Sequence, residues 1–237
     1  MALQGQAFLA LWNDIAPGRE PEYDQWHTLE HVPERVAATG IHGARRYVHR
    51  GRDSHRYFTL YDVENIQVFE SPEYVDLLQN PTPWSAAMRP DFSNFVRAPC
   101  AVRLSAGVGI GAAIACLCVQ SGAIDTALVG QSLERALKLP GVTAVHWGAG
   151  HGGLPTIPWT QSPAATTAPR AFDSVLLLEA LDRAVAAAGL AALCAALDLA
   201  GLPADFGADV YDLAFVFPGA GAAEARRYRR PGWPKLP

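Results

Sequence analysis

Three features of the sequence predict an α+β fold of two tandem ferredoxin-like (split βαβ) units whose antiparallel sheets face each other. The order strand, helix, strand, strand, helix, strand can be read once up to about residue 105 and again from 106 onward, across 237 residues. The two readings have similar element lengths but little residue identity; Ile41-His42-Gly43 against Pro140-Gly141-Val142 is the closest local parallel. Half of the residues are hydrophobic, which suffices for one large core or for two units of about 110 residues each. The expected division is 1–105 and 106–237.

Phe8 to Trp12 reads as a short apolar strand. Pro17 and Gly18 end it, and a helix follows over Glu22 to Gly40. Pro21 suits a first helical turn, Glu20 and Glu22 complement the positive end of the helix dipole, and Gly40 is a natural stop. At 100° per residue Trp26, Leu29, Pro33, Val36 and Ala37 share an apolar arc that should pack on a sheet. His27, Glu30, His31 and Glu34 fall on a neighbouring arc. Their spacing makes them surface neighbours, so carboxylates should pair with imidazoles and raise the histidine pKa values. Pro33 removes the hydrogen bond to the Leu29 carbonyl and predicts a kink.

Ile41 to Arg50 and Tyr57 to Val63 then read as a hairpin. On its second strand Tyr57, Thr59 and Tyr61 share one face, and Phe58 and Leu60 the other. Ser71 to Met88 holds short helical pieces broken by Pro81 and Pro83, and Phe92 to Leu104 closes the first pass. The second pass reads as a strand over Ile110 to Val119 and a helix over Asp125 to Leu139 with Asp125 as N-cap. It continues with strands over Val142 to Trp147 and Phe172 to Leu181, a helix over Arg183 to Leu199, and a last strand over Val210 to Pro218. Residues 148–170 form a long connection, read as disordered over 161–170, with Trp159 anchoring its earlier part over a pocket.

A net charge of −4 and a pI near 6 give no footprint for nucleic acid, and the basic run Arg226-Arg227-Tyr228-Arg229-Arg230 reads as a solvated terminus. Four scattered cysteines in apolar surroundings read as free thiols in a reducing cytoplasm. No charged n-region precedes the first apolar run, and the 106–119 apolar stretch is too short to span a bilayer. The glycines at 107, 109 and 111 lack the dinucleotide fingerprint, Cys116 and Cys118 read as packing, and no nucleophile elbow appears.

His27 to His31 matches the inverted zinc-protease pattern H-x-x-E-H, but no separate acidic helix supplies a third ligand, so no metal and no cofactor are expected. Arg45, Arg46, Tyr47, His49, Tyr57 and Tyr61 supply polar groups on the hairpin that need partners, and a bound small molecule is one source of them.

Trp26-His27, Glu30-His31, Pro33-Glu34-Arg35 and Gly43-Ala44-Arg45-Arg46-Tyr47 resemble the N-terminal half of EthD-like proteins of the dimeric α+β barrel superfamily. The resemblance covers about residues 6–100; the rest is similar in element order alone. It implies a barrel made by two ferredoxin-like units, here within one chain, and one motif-bearing site. It also implies a range of activities, from cofactor-free monooxygenases, cyclases and isomerases to haem-binding enzymes. The expected function is acid/base chemistry on a small aromatic or carbonyl-bearing molecule. His27 or His31 would act as acid/base, Glu30 or Glu34 as its orienter, Arg45, Arg46 or Tyr47 as anchor for negative charge, and Trp26, Tyr57 and Tyr61 as further contacts. The rival expectation is a non-catalytic binding or stress-associated protein; a haem held by His27 or His31 is the third. Self-association is left open.

Overall fold

The computed structural model describes residues 3–120, 125–152, 172–198, 208–219 and 223–234. In chain order β1 (Ala7–Ile15) leads through α1 (Glu20–Trp26), a π turn (His27–His31) and α2 (Val32–Val36) to β2 (Ile41–Val48) and β3 (Tyr57–Val63). Helices α3 (Pro72–Gln79) and α4 (Pro83–Met88) precede the long β4 (Phe92–Gly107). Then come β5 (Ala113–Val119), α5 (Thr126–Ala136), β6 (Val142–Gly150), β7 (Ser174–Ala180), α6 (Arg183–Ala196), β8 (Ala208–Phe217) and the short α7 (Ala223–Arg226).

The strands close into an antiparallel barrel in the order β1-β3-β2-β8-β5-β7-β6-β4. Counted within its own half of the chain, each set of four runs fourth, first, third, second, and the seams β2–β8 and β4–β6 join the halves. β4 runs unbroken through residue 105, pairing first with β1 and then with β6.

Both faces of the first strands are covered, which is why β1 and β3 show little hydrophobic alternation in the sequence. Phe8, Trp12, Tyr47, Phe58, Leu60, Ile114, Cys116, Leu177 and Tyr211 fill the barrel interior. An eight-stranded barrel is just wide enough for its own side chains, and Trp12 and Phe58 meet there with ring centroids 4.8 Å apart. Alternate residues point outward, so Tyr57 and Tyr61 lie with Leu9, Tyr23 and Trp26 beneath the first set of helices. Both faces of β3, the one bearing Tyr57, Thr59 and Tyr61 and the one bearing Phe58 and Leu60, are therefore buried. Opposite, α5 and α6 pack Val129, Leu133, Ala186 and Leu193 against Val145, Leu176 and Leu178; each helix starts at an aspartate, Asp125 or Asp182, that accepts a backbone N–H.

The helix expected over Glu22 to Gly40 is not continuous. Pro33 has no N–H for the Leu29 carbonyl, and the chain absorbs the defect as a π turn in which the Val32 N–H reaches back five residues to the His27 carbonyl. The Tyr228 hydroxyl donates to the Leu29 carbonyl at 2.9 Å. The wider turn shifts the phase of the side chains. Leu29 leaves the apolar arc and is 53% exposed, while His27 turns inward and is 3% exposed. Gly40 ends the segment at φ +83°, where a Cβ would press on Val68.

The basic tail is not a solvated terminus. Arg229 pairs with Glu73 at 2.9 Å, and Arg230 pairs with Glu34 and, at 3.1 Å, with Asp76. Trp233 donates to Asp76 at 3.0 Å and lies against both guanidiniums. The tail thus straps α2 to α3. Cys100, Cys116 and Cys118 are buried free thiols, and among the described residues no helix is long and apolar enough to cross a membrane. Residues 161–170 and Trp159 lie outside the described residues.

Candidate functional site

With the barrel interior filled, open space falls between the outer face of the first-half strands and the helices that cover them. A cavity of about 50 Å³ lies there, several times the volume that one water needs. Strands contribute Leu9, Leu11, Asn13, Thr59, Tyr61, Phe95 and Arg97; the π turn and its flanks contribute Trp26, His27, His31 and Arg35. Ile41, Phe69, Tyr74, Leu78, Ser85, Arg89 and Phe92 complete the wall. All of these residues lie between positions 9 and 97.

The π turn places both imidazoles on this cavity, their centroids 5.3 Å apart. His31 lies 4.4 Å from the Trp26 ring and His27 lies 5.2 Å from Tyr23. His27 Nε2 is 3.4 Å from the Thr59 hydroxyl. Among the described residues the buried Nδ1 atoms of His27 and His31 have no partner.

Three guanidiniums and no carboxylate line the cavity. Burial lowers the His27 pKa well below 6.5, and the charges of Arg46 and Arg35 lower it further. Burial, then Arg35, His27 and Arg89, do the same to His31. Arg89 itself is pulled down to about 10 by burial and by the charge of Arg35. Both imidazoles are therefore neutral bases at physiological pH, in a positively charged surrounding. One consequence concerns stability. The unfolded chain takes up protons near pH 6.5 and the native imidazoles do not, so stability should fall as pH drops below about 6.5. Urea unfolding at pH 7.5 and 5 is expected to show a smaller pH-dependent loss in the His27→Asn/His31→Asn variant than in the native chain.

No family model and no curated protein matches this chain. Solved structures do. An anthrone oxidase-like protein superposes with a TM-score of 0.62 at 13% identity, over 94% of this chain and 97% of its own. A candidate monooxygenase from Fusobacterium nucleatum gives 0.52 at 10% identity, covering 91% of this chain and 96% of its own. A candidate chlorite dismutase gives 0.51 at 12%, covering 95% and 98%. The chain has the dimeric α+β barrel fold. Here one polypeptide supplies the whole α+β barrel.

Within this α+β barrel the residues expected to act together separate into three places. Trp26, His27, His31 and Tyr61 line the cavity. Tyr57 is buried beside it, 4.4 Å from Tyr23. Arg46 points outward from β2 to Asp24 at 3.2 Å and Thr28 at 3.3 Å. Arg45 and Tyr47 point the other way, into the barrel, because they sit opposite Leu60 and Phe58; Arg45 pairs there with Glu179.

The carboxylates do not orient the imidazoles. Glu30 accepts from Thr82 at 2.5 Å and Ser85 at 3.2 Å, and Glu34 is held by Arg230 and Arg35. The expected rise in histidine pKa is thus a fall, for the phase shift that turned the imidazoles inward left both glutamates outside. Among the described residues no third metal-ligating side chain joins the histidines. The packing leaves no open face for a haem on His27, whose ring is enclosed by Tyr23, Trp26 and His31. Arg35, Arg89, Arg97, Asn13 and Thr59 are cavity residues that the sequence reading did not assign; Arg35 alone lay within the motif.

Proposed function

We propose that this barrel binds a small planar molecule with an acidic O–H or a carbonyl-activated C–H, and that His27 accepts its proton while Arg35, Arg89 and Arg97 hold the resulting anion. The carrying observation is a neutral, buried imidazole facing a cavity whose charged lining groups are all guanidiniums. His31, 5.3 Å away, is the second proton acceptor. A monooxygenase-type activity is supported by the names of the structural neighbours, since a substrate anion is the electron-rich form that an oxidation needs. The Trp26-His27 and Glu30-His31 motif supports an EthD-like assignment. The shared strand order supports tandem ferredoxin-like units at 1–105 and 106–237.

4-Nitrophenol, which ionises near neutrality and is yellow as the anion, tests the binding step. At pH 6 the protein is expected to bind it and to raise the phenolate absorbance, less so in Arg97→Met. Binding as the neutral phenol, or no binding, would overturn the anion-holding role. Binding of acidic aromatics without turnover of any would favour the ligand-binding alternative.

A further inference from the structure

A second polar constellation crosses one end of the barrel, away from the cavity. Ser105 on β4 is exposed, whereas His146 on β6 and Glu179 on β7 are fully buried. Register brings them together: Ser105 lies opposite His146, and His146 opposite the interior residue Leu177, two positions before Glu179. The Ser105 hydroxyl is 2.9 Å from His146 Nδ1, and His146 Nε2 is 3.1 Å from a Glu179 carboxylate oxygen. Arg45 pairs with that same oxygen, and the Gly111 N–H donates to the other at 2.9 Å.

The Glu179 contacts set the tautomer that a neutral His146 adopts, and with it the direction of each hydrogen bond. Burial pushes the Glu179 pKa up, but the His146 hydrogen bond and the Arg45 charge outweigh it and hold the carboxyl below its ordinary value. An ionised carboxylate only accepts, so Nε2 carries the proton; in the neutral imidazole Nδ1 then accepts, and the Ser105 O–H donates to it. That is the arrangement in which a histidine, held in one tautomer by a carboxylate, serves as base to a serine.

We propose that Ser105 is a nucleophile, with His146 its general base and Glu179 the positioning residue, acting on esters with a small apolar acyl group. The acyl class follows from the loop beside the serine, where Val108 and Ile110 are 75% and 42% exposed. Ser105 Oγ bonds to the ester carbonyl carbon as its proton passes to His146 Nδ1. The C–O bond to the alcohol breaks and the alcohol leaves with that proton. Water then attacks the Ser105 ester and gives a proton to His146; as the acyl C–O bond to Ser105 Oγ breaks, that proton passes to Oγ, releasing the carboxylic acid and restoring the serine and the neutral imidazole. Ester and water become acid and alcohol.

A fluorophosphonate probe followed by peptide mapping tests this. Ser105 is expected to react about 100-fold faster than the other exposed serines of the same chain, the size of a general-base contribution, and Ser105→Ala should abolish that labelling. Uniform slow labelling of serines, or selective labelling of Ser105 that persists in a folded His146→Gln variant, would overturn the proposal. Should His146→Gln not fold, the comparison among serines within the native chain decides.

Discussion

Glu179→Ala is expected to destabilise the barrel by about 3–5 kcal/mol, the cost of leaving a buried charge without its partner. Arg45 is 5% exposed and Glu179 0%, so neither can turn to water when the other is removed. The same substitution takes the acceptor from His146 and from the Gly111 N–H. A lower urea midpoint at an unchanged slope reads the effect. Replacing both ends, Arg45→Met with Glu179→Leu, should restore much of the loss, because a hydrophobic pair of similar volume avoids the desolvation of both ions. A single variant as stable as the native chain would show that the Arg45–Glu179 pair is not buried as described.

His27→Gln is expected to lower turnover of an acidic aromatic substrate by about 10²-fold or more, the usual loss when a positioned base is removed. Glutamine keeps most of the volume. This matters because His27 packs against Tyr23 and Trp26, and alanine would add a void to the loss of the base. The effect should fall on kcat more than on KM, as the substrate is held by the guanidiniums and the apolar wall. A turnover indifferent to His27→Gln and to His31→Gln would move the chemistry elsewhere.

Much of the fold could be read from local signals. Tyr57 to Val63 matches β3 to the residue, because a β-rich run between polar segments has few alternatives. Asp125 caps α5 as expected through its side chain, a contact made within two residues. What the sequence concealed depended on distance. Pro33 announced a defect, but whether the chain would kink or widen is not a local matter, and the Leu29 carbonyl is met by Tyr228, 199 residues away. The tail arginines looked solvated because their carboxylates lie 154 to 196 residues distant.

The site was legible in part for a related reason. Arg45 and Arg46 are neighbours on one strand and must face opposite ways, so they could not both anchor one ligand. Which way each faced depended on closure of the barrel. Arg89 and Arg97 reach the cavity from a turn and a strand that carry no motif. The histidine pair is visible in the sequence as a pair, but its pKa values move down and not up, because burial dominates and both nearby carboxylates are engaged elsewhere.

The neutral state of the two imidazoles carries the functional account, and a pH titration of their side-chain NMR resonances, with and without an aromatic acid such as 1-naphthoate, tests it most directly. The account predicts that His27 and His31 stay neutral well below pH 6.5, where a free histidine is charged, and that the ligand shifts both resonances. Imidazoles that titrate at pH 6.5 or above and ignore the ligand would contradict it.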